Sequence, residues 1–190
     1  MRPRIRVVTS NPGKWREFQE LLYTNGLEPE WIKAKLTEIQ SEDLEEIVKA
    51  SAIEAARLYE GELLIEDAGL FIESLKGFPG PYSSYVYSKL GCNGLLKLLS
   101  GVDERAAYFL STICYVSKTH ELKIFKGRCN GVIAIEPRGT GGFGFDPIFI
   151  PLEGDGRTFA EMSLEEKNAI SHRSKALKEF LYWYVSIKMP

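Results

Sequence analysis

Cysteine is scarce in this chain: Cys92, Cys114 and Cys129 are odd in number and far apart, and no C-x-x-C pair occurs. That suggests neither a disulfide framework nor a zinc site, and fits a reducing cytosol. A basic excess is missing too. With 24 Lys and Arg against 26 Asp and Glu, the surface is not built to neutralise nucleic-acid phosphates, so any phosphate ligand has to be met locally. No apolar run approaches the ~18 residues of a membrane span, and the residues up to position 14 hold only a short strand-like run, too brief for a signal-peptide core. The expected protein is soluble and cytoplasmic, with neither nucleic acid nor a membrane as partner. Two nucleotide and hydrolase signatures are also absent. There is no G-x-x-x-x-G-K-[ST] loop and no G-x-S-x-G elbow, and Ser171 and His172 do not face each other if both are helical. These absences exclude a Walker A site and a serine hydrolase.

What is present is a globular chain, 44% hydrophobic over 190 residues, long enough to bury a core as one domain over residues 1–190, with room for two lobes. Residues 5–9 read as a strand, followed directly by Ser10-Asn11-Pro12-Gly13-Lys14. Asn11 suits an N-cap and Pro12 the first helical position, with Trp15, Phe18, Leu21 and Leu22 recurring at helical spacing. Such a strand-loop-helix unit presents free backbone N–H groups and a positive dipole end, which can hold an anion or can be an ordinary capped helix. Lys14 adds a cation where the dipole disfavours one, a misfit that a phosphate would relieve. A second strand runs near Trp31. A packing helix follows, with Leu44, Ile47, Val48, Ser51, Ala52, Ala55 and Tyr59 on one face.

The apolar run Leu63-Leu64-Ile65, bounded by Gly61 and Gly69, reads as a buried strand whose end delivers Glu66 and Asp67 either to a site or to a solvated turn. Residues 76–82 form a loop of turn formers, and residues 91–99 a short helix. From 106 to 135 the β-branched and aromatic runs predict a meander of three strands, 106–116, 122–129 and 131–135, with His120 at a hairpin tip and without a role. Gly141-Gly142-Phe143-Gly144-Phe145-Asp146-Pro147 combines backbone freedom, aromatic rings and a carboxylate, suiting either a base-stacking surface or a glycine turn over core phenylalanines. Ser163 and Glu166 form a capping box, which puts Lys167 just past a first helical turn. Leu177, Phe180, Leu181 and Tyr184 continue either that helix or a second one starting near Ser171. Lys167, His172 and Arg173 offer several donors in a short span, suited to carbonyl or phosphate oxygens or to solvent.

Taken in order, Thr9-Ser10-Asn11-Pro12-Gly13-Lys14, Ile65-Glu66-Asp67-Ala68-Gly69-Leu70, Gly77-Phe78-Pro79-Gly80-Pro81-Tyr82, Phe143-Gly144-Phe145-Asp146-Pro147 and the stretch 158–173 resemble the inosine/xanthosine triphosphate pyrophosphatases, the Ham1-like family. The resemblance spans nearly the whole chain. It implies an elongated α/β fold, a mixed sheet with flanking helices and two lobes around a central substrate cleft. It also implies a homodimer, a Mg²⁺ requirement, and hydrolysis of ITP, dITP and XTP to the monophosphate and pyrophosphate, which cleanses the nucleotide pool. Residue by residue, Thr9, Ser10, Asn11, Pro12, Gly13 and Lys14 match the triphosphate grip. Asp67 matches the metal ligand and proton acceptor, with Ala68 beside it among the substrate contacts, and Glu38 matches the other metal-binding carboxylate. Phe143, Gly144, Phe145, Asp146, Lys167, His172 and Arg173 match the residues around the base. Two departures stand out: Ser83 and Ser84 where a basic residue is common, and Ser51 where some members carry a lysine, with Lys49 two residues out of place and Lys89 as the candidate substitute.

The implied chemistry needs a cation, donors around the phosphates and an oriented water. Glu38 and Asp67 offer hard oxygens suited to Mg²⁺. An ordinary aspartate, with pKa about 3.9, lies roughly three units below neutrality, a handicap of about 4 kcal/mol for accepting a proton. Orienting the water is therefore the expected role of Asp67. A donor from Lys167 or Arg173 favours a 6-oxo purine over the 6-amino group of adenine. The rival expectations are a phosphohydrolase releasing orthophosphate and a nucleotide-binding module without turnover.

Overall fold

Alternation of short apolar strands with amphipathic helices in the first third of the chain builds a parallel βαβαβ run. The computed structural model describes residues 2–188, and of Lys188 the backbone only. Strand β1 (Arg4–Val8) leads into α1 (Pro12–Thr24), β2 (Glu28–Ile32), α2 (Leu44–Leu58) and β3 (Leu63–Ile72). There follow β4 (Pro79–Gly80), α3 (Ser83–Leu98), β5 (Ala106–Val116), β6 (Leu122–Ile133), β7 (Phe149–Pro151), α4 (Leu164–Ile170) and α5 (His172–Lys188). The sheet has seven strands in the order β2-β1-β3-β5-β6-β7, with β4 on β3. It is mixed: β1 pairs parallel with β2 and β3, whereas β4 pairs antiparallel with β3 and β7 with β6.

The chain divides into two compact units. Unit 1 takes in the chain up to Asp67, Ser111–Gly127 and the chain from Arg173 on. Its core joins Ile5, Val7, Phe18, Leu22, Leu64, Ile113, Leu177 and Phe180, with a second cluster of Val8, Val48, Ala52, Leu63 and Ile65. Parallel strands covered on both faces carry near-continuous apolar runs, as β3 does through its buried Leu63-Leu64-Ile65. Unit 2 comprises Ala68–Leu110 and Arg128–His172, packed around Leu70, Ile72, Phe109, Phe149 and Phe159.

Three sequence expectations change, and one left open is decided. The strand expected to stop at Asp67 runs on to Ile72, because Gly69 does not end it. A Cβ at Gly69 would lie 2.3 Å from the Gly80 carbonyl oxygen, so this glycine lets β4 approach from the side. The third strand of the meander is the continuation of β6, whose Gly131 makes room for Phe149 on β7. The helix expected at 91–99 is present as the second stretch of α3, joined at the non-helical Gly91 (φ 60°, ψ −172°) to a first stretch from Ser83 that was not expected. That first stretch buries little but Ser83 and Val86, so no apolar stripe announced it. Lastly, α4 and α5 are separate helices that meet at Ser171, which sits in an extended conformation between them.

Candidate active site

Parallel strand order places the first candidate residues. The connection through α1 carries the chain from β1 to β2 on one side, while β3 pairs with β1 on the other, so the order reverses between β1 and β3. In open α/β sheets ligands bind beyond the carboxyl ends of strands at such a reversal. Pairing of β1 with β3 ends at Val8 opposite Ile65. Thr9 and the Ser10-Asn11-Pro12 turn follow on one strand, Glu66 and Asp67 on the other. The carboxylates thus sit at the end of the parallel pairing, though not of the strand.

Asn11 caps α1 as expected, its Oδ1 accepting from the Gly13 N–H at 2.8 Å and the Lys14 N–H at 3.2 Å. The Asn11 N–H donates to Thr9 Oγ1 and the Trp15 N–H to the Asn11 carbonyl. The helix end therefore does not offer the free backbone N–H groups expected there, because the cap satisfies them. What the turn retains is its dipole, the exposed Ser10 and the Lys14 side chain. Trp31 fixes the turn from β2, its indole Nε1–H donating to the Thr9 carbonyl at 2.8 Å while its ring stacks on Trp15.

The Lys14 ammonium reaches back to β3, 2.9 Å from Glu66 Oε2, 3.2 Å from the Glu66 carbonyl and 3.8 Å from Asp67 Oδ1. Glu66 Oε1 accepts from Ser111 Oγ at 2.7 Å and faces Arg173, whose Nη2 lies at 3.0 Å and Nε at 3.2 Å; Arg173 Nη1 pairs with Glu17. Burial acts most strongly on Glu66 and pushes its pKa up, but Arg173 and Lys14 outweigh it and hold the carboxyl at about 2. Burial likewise opposes the Lys14 charge, and the Glu66 and Asp67 carboxylates more than restore it, raising its pKa. The side chains of Glu66, Glu17 and Arg173 are each 2% exposed, whereas those of Lys14 and Asp67 are each 18% exposed. The cluster is sealed except where Lys14 and Asp67 meet solvent.

Unit 2 holds the second group. Lys167, on α4, lies 2.5 Å from Asp146 Oδ2, and both side chains are buried. Asp146 also accepts from the Phe143 N–H at 2.8 Å. The Lys167 ammonium sits 4.8 Å from the Phe143 ring centre and 5.2 Å from that of Phe159. His172 stacks on Phe109 at 4.6 Å. Phe145 is buried in the unit 2 core against Tyr87, so its ring works in packing and Phe143 is the more open of the two. Gly144, at φ 61°, takes the left-handed turn between them.

A family model described as the Ham1 family matches residues 5–183. The chain belongs to the Ham1 family. It is 53% identical to a dITP/XTP pyrophosphatase of Thermococcus kodakarensis over 95% of this chain and 96% of that one. It is 52% identical to the dITP/XTP pyrophosphatase of Pyrococcus horikoshii, with the same coverage. Among solved structures, a HAM1 protein from Coxiella burnetii superposes with a TM-score of 0.80 at 32% identity, over 97% of this chain and 99% of that one.

Within this Ham1 chain the candidate residues divide differently from the sequence grouping. Arg173 is held by ion pairs within unit 1. All three of its guanidinium nitrogens face carboxylates of unit 1, because successive residues on α5 point about 100° apart. Ser83 anchors β4, accepting from the Leu70 N–H and donating to the Gly80 carbonyl. Lys49 is engaged by Glu45, and Lys89 lies over the Tyr85 ring. Glu38 is exposed on the irregular segment before α2. Among the described residues there is no cluster of three or more His, Cys, Asp or Glu side chains arranged to hold a metal. Two hard carboxylates suit Mg²⁺, which keeps several waters and takes one or two protein carboxylates beside substrate phosphates. Glu17 and Ser111 escaped the sequence reading. Glu17 carried one signal, a carboxylate on the buried stripe of α1 between Lys14 and Leu21, where a charge requires a partner.

Proposed function

We propose that the chain is a nucleoside triphosphate pyrophosphatase that hydrolyses dITP, XTP and ITP to the monophosphate and pyrophosphate. The observation that carries the reading is the sealed cluster behind Lys14 and Asp67. Two cations face three carboxylates there, and the two groups that reach solvent are the ones the chemistry requires. Lys14 neutralises phosphate charge from a fixed position, while Thr9, Ser10 and Asn11 line the turn beside it. Glu38 and Asp67 would hold Mg²⁺, which supplies charge neutralisation at the phosphates and acidifies bound water. Asp67 orients the attacking water toward the α-phosphorus, and pyrophosphate departs. Arg173 and Glu66 hold Lys14 in place rather than touching the base.

Unit 2 carries base recognition. Phe143 offers a ring face, Gly144 close backbone approach, and Lys167, oriented by Asp146, an N–H donor to a 6-oxo group. Adenine presents its own donor at that position, and a buried donor facing a donor stays unpaired, at a cost of about 1–3 kcal/mol. The protein is further held to be a cytoplasmic homodimer, checked by light scattering against the 21.5 kDa chain mass. The deciding experiment is a turnover screen of the common nucleoside triphosphates and their deaminated forms, with pyrophosphate as the readout and Mg²⁺ varied. Turnover of dITP and XTP well above dATP is the expected result. Orthophosphate as first product, detected without added pyrophosphatase, would overturn the assignment, as would tight dITP binding without turnover.

A further inference from the structure

The segment between β2 and α2 has no regular structure, yet it carries Glu38, and an irregular backbone positions a side chain only if something outside it supplies the restraint. That restraint comes from α2. The Thr37 N–H donates to Glu54 Oε2 at 2.7 Å and its hydroxyl to Glu54 Oε1 at 3.3 Å, so one carboxylate takes both groups. The Thr37 carbonyl accepts from Ser51 Oγ at 3.1 Å. N–H, O–H and C=O of the residue before Glu38 are thus all engaged by a single helix. On the near side, Leu36 packs against the second apolar cluster of unit 1. On the far side, Ser41 donates to Glu46 at 2.7 Å. Between these anchors, Glu38, Ile39 and Gln40 are exposed.

We infer that Glu54, assisted by Ser51, is a positioning residue that holds Glu38 in place to bind the metal ion. The inference rests on the reading of Glu38 as a metal ligand. Glu54 reaches Glu38 only through the backbone of Thr37, and its hydrogen bonds are charge-assisted, the stronger kind. It also gives Ser51 a use: its hydroxyl closes the third side of the clamp. A residue that orients a ligand from behind changes metal affinity more than the chemical step, typically by about 10–100-fold on mutation.

The test uses the full chain and Mn²⁺ alone, titrated by the loss of the free Mn²⁺ resonance signal, together with the Mg²⁺ dependence of turnover. Glu54→Ala is expected to raise the Mn²⁺ dissociation constant about tenfold and to shift half-saturating Mg²⁺ in the same direction, with the loss recovered at saturating metal. Glu38→Gln sets the scale, and the double variant Glu38→Gln/Glu54→Ala should bind no more weakly than Glu38→Gln, since the clamp acts only through Glu38. Thr37→Val, which removes only the hydroxyl arm, should give a smaller shift in the same direction and keeps the test open if Glu54→Ala does not fold. A lowered melting temperature with unchanged Mn²⁺ affinity in Glu54→Ala, while Glu38→Gln weakens it, would overturn the clamp and leave Glu38 standing. Unchanged affinity in Glu38→Gln would instead remove Glu38 as a ligand, and the inference with it. Additive losses in the double variant would place Glu54 elsewhere in the metal site and overturn the clamp as well.

Discussion

Each of the two units buries charge, and they do so in opposite ways. In unit 1, Glu17, Arg173, Glu66 and Lys14 form a chain of ion pairs that ends at Asp67 with one negative charge in excess among these five groups. In unit 2, Asp146 and Lys167 cancel as a pair, and aromatic rings surround the ammonium. A cluster left one charge short suits a ligand that brings a cation and phosphates. A neutral pair walled by rings suits an uncharged base read by a single polar edge. The comparison teaches that burial alone does not mark a site, since among these five groups of unit 1 Glu17, Glu66 and Arg173 are sealed and Lys14 and Asp67 are the two that reach solvent.

The comparison breaks most visibly at Asp67. Asp67→Asn keeps the shape and removes the excess charge, and it should lower kcat on the order of a thousandfold, equivalent to about 4 kcal/mol. The fold should survive, because this side chain reaches solvent and lies 3.8 Å from its cation. Pyrophosphate release at saturating dITP, beside a thermal melt, measures both, and near-normal turnover would remove Asp67 from the chemistry. Arg173→Met asks the opposite question. It leaves Glu66 and Glu17 buried without their main cation and should cost about 3 kcal/mol of stability, the low end for a broken buried pair because Glu66 keeps Lys14 and Ser111. Denaturant unfolding checks it; a loss under 1 kcal/mol would mean that the cluster is not sealed.

How much of this was legible in advance depends, for a physical reason, on whether the partners are near or far in the chain. Local signals named their own residues: Asn11 before Pro12 predicts the cap, and Ser163 with Glu166 predicts the start of α4, because caps are satisfied within a few residues. Long-range partners were invisible. Arg173 and Glu17 are 156 positions apart, and nothing near either one states that they meet. Gly69 misled because a strand glycine that admits a neighbouring backbone looks, in sequence, like a strand terminator. The span 167–173 offered Arg173 as a donor beside Lys167 and His172, and it did not state that the guanidinium meets Glu17 and Glu66.

The neutral pair of unit 2 yields a smaller, more selective effect. In Asp146→Asn/Lys167→Met both charges go together, so no buried charge is stranded and stability should change little. Discrimination of dITP from dATP, measured as the ratio of kcat/KM values, should fall by about tenfold to a hundredfold, the worth of one well-placed donor. Turnover of dITP at saturation should hold better than in Asp67→Asn, since the altered groups serve recognition. An unchanged ratio would transfer base reading to other residues.

The smallest effect is also the sharpest probe of unit 1. Glu66 has a folded pKa of about 2, below its usual 4.5, so its contribution to stability is present above pH 4.5 and is lost as the pH falls toward 2. A shift of that size corresponds to something on the order of 3 kcal/mol across the window. Ser111→Ala removes one donor from Glu66 Oε1 while Arg173 and Lys14 remain, and should cost about 1 kcal/mol at neutral pH. Because the lost bond favoured the charged carboxylate, the Glu66 pKa rises, and the acid limb of the stability curve moves to higher pH by a fraction of a unit. Cys at position 111 is a weaker donor of similar shape and should fall between Ser and Ala. Asp146→Asn/Lys167→Met should leave the Glu66 limb where it was, since the two clusters share no residue. A Ser111→Ala curve lowered equally at every pH would show that the hydroxyl packs rather than holds the charge.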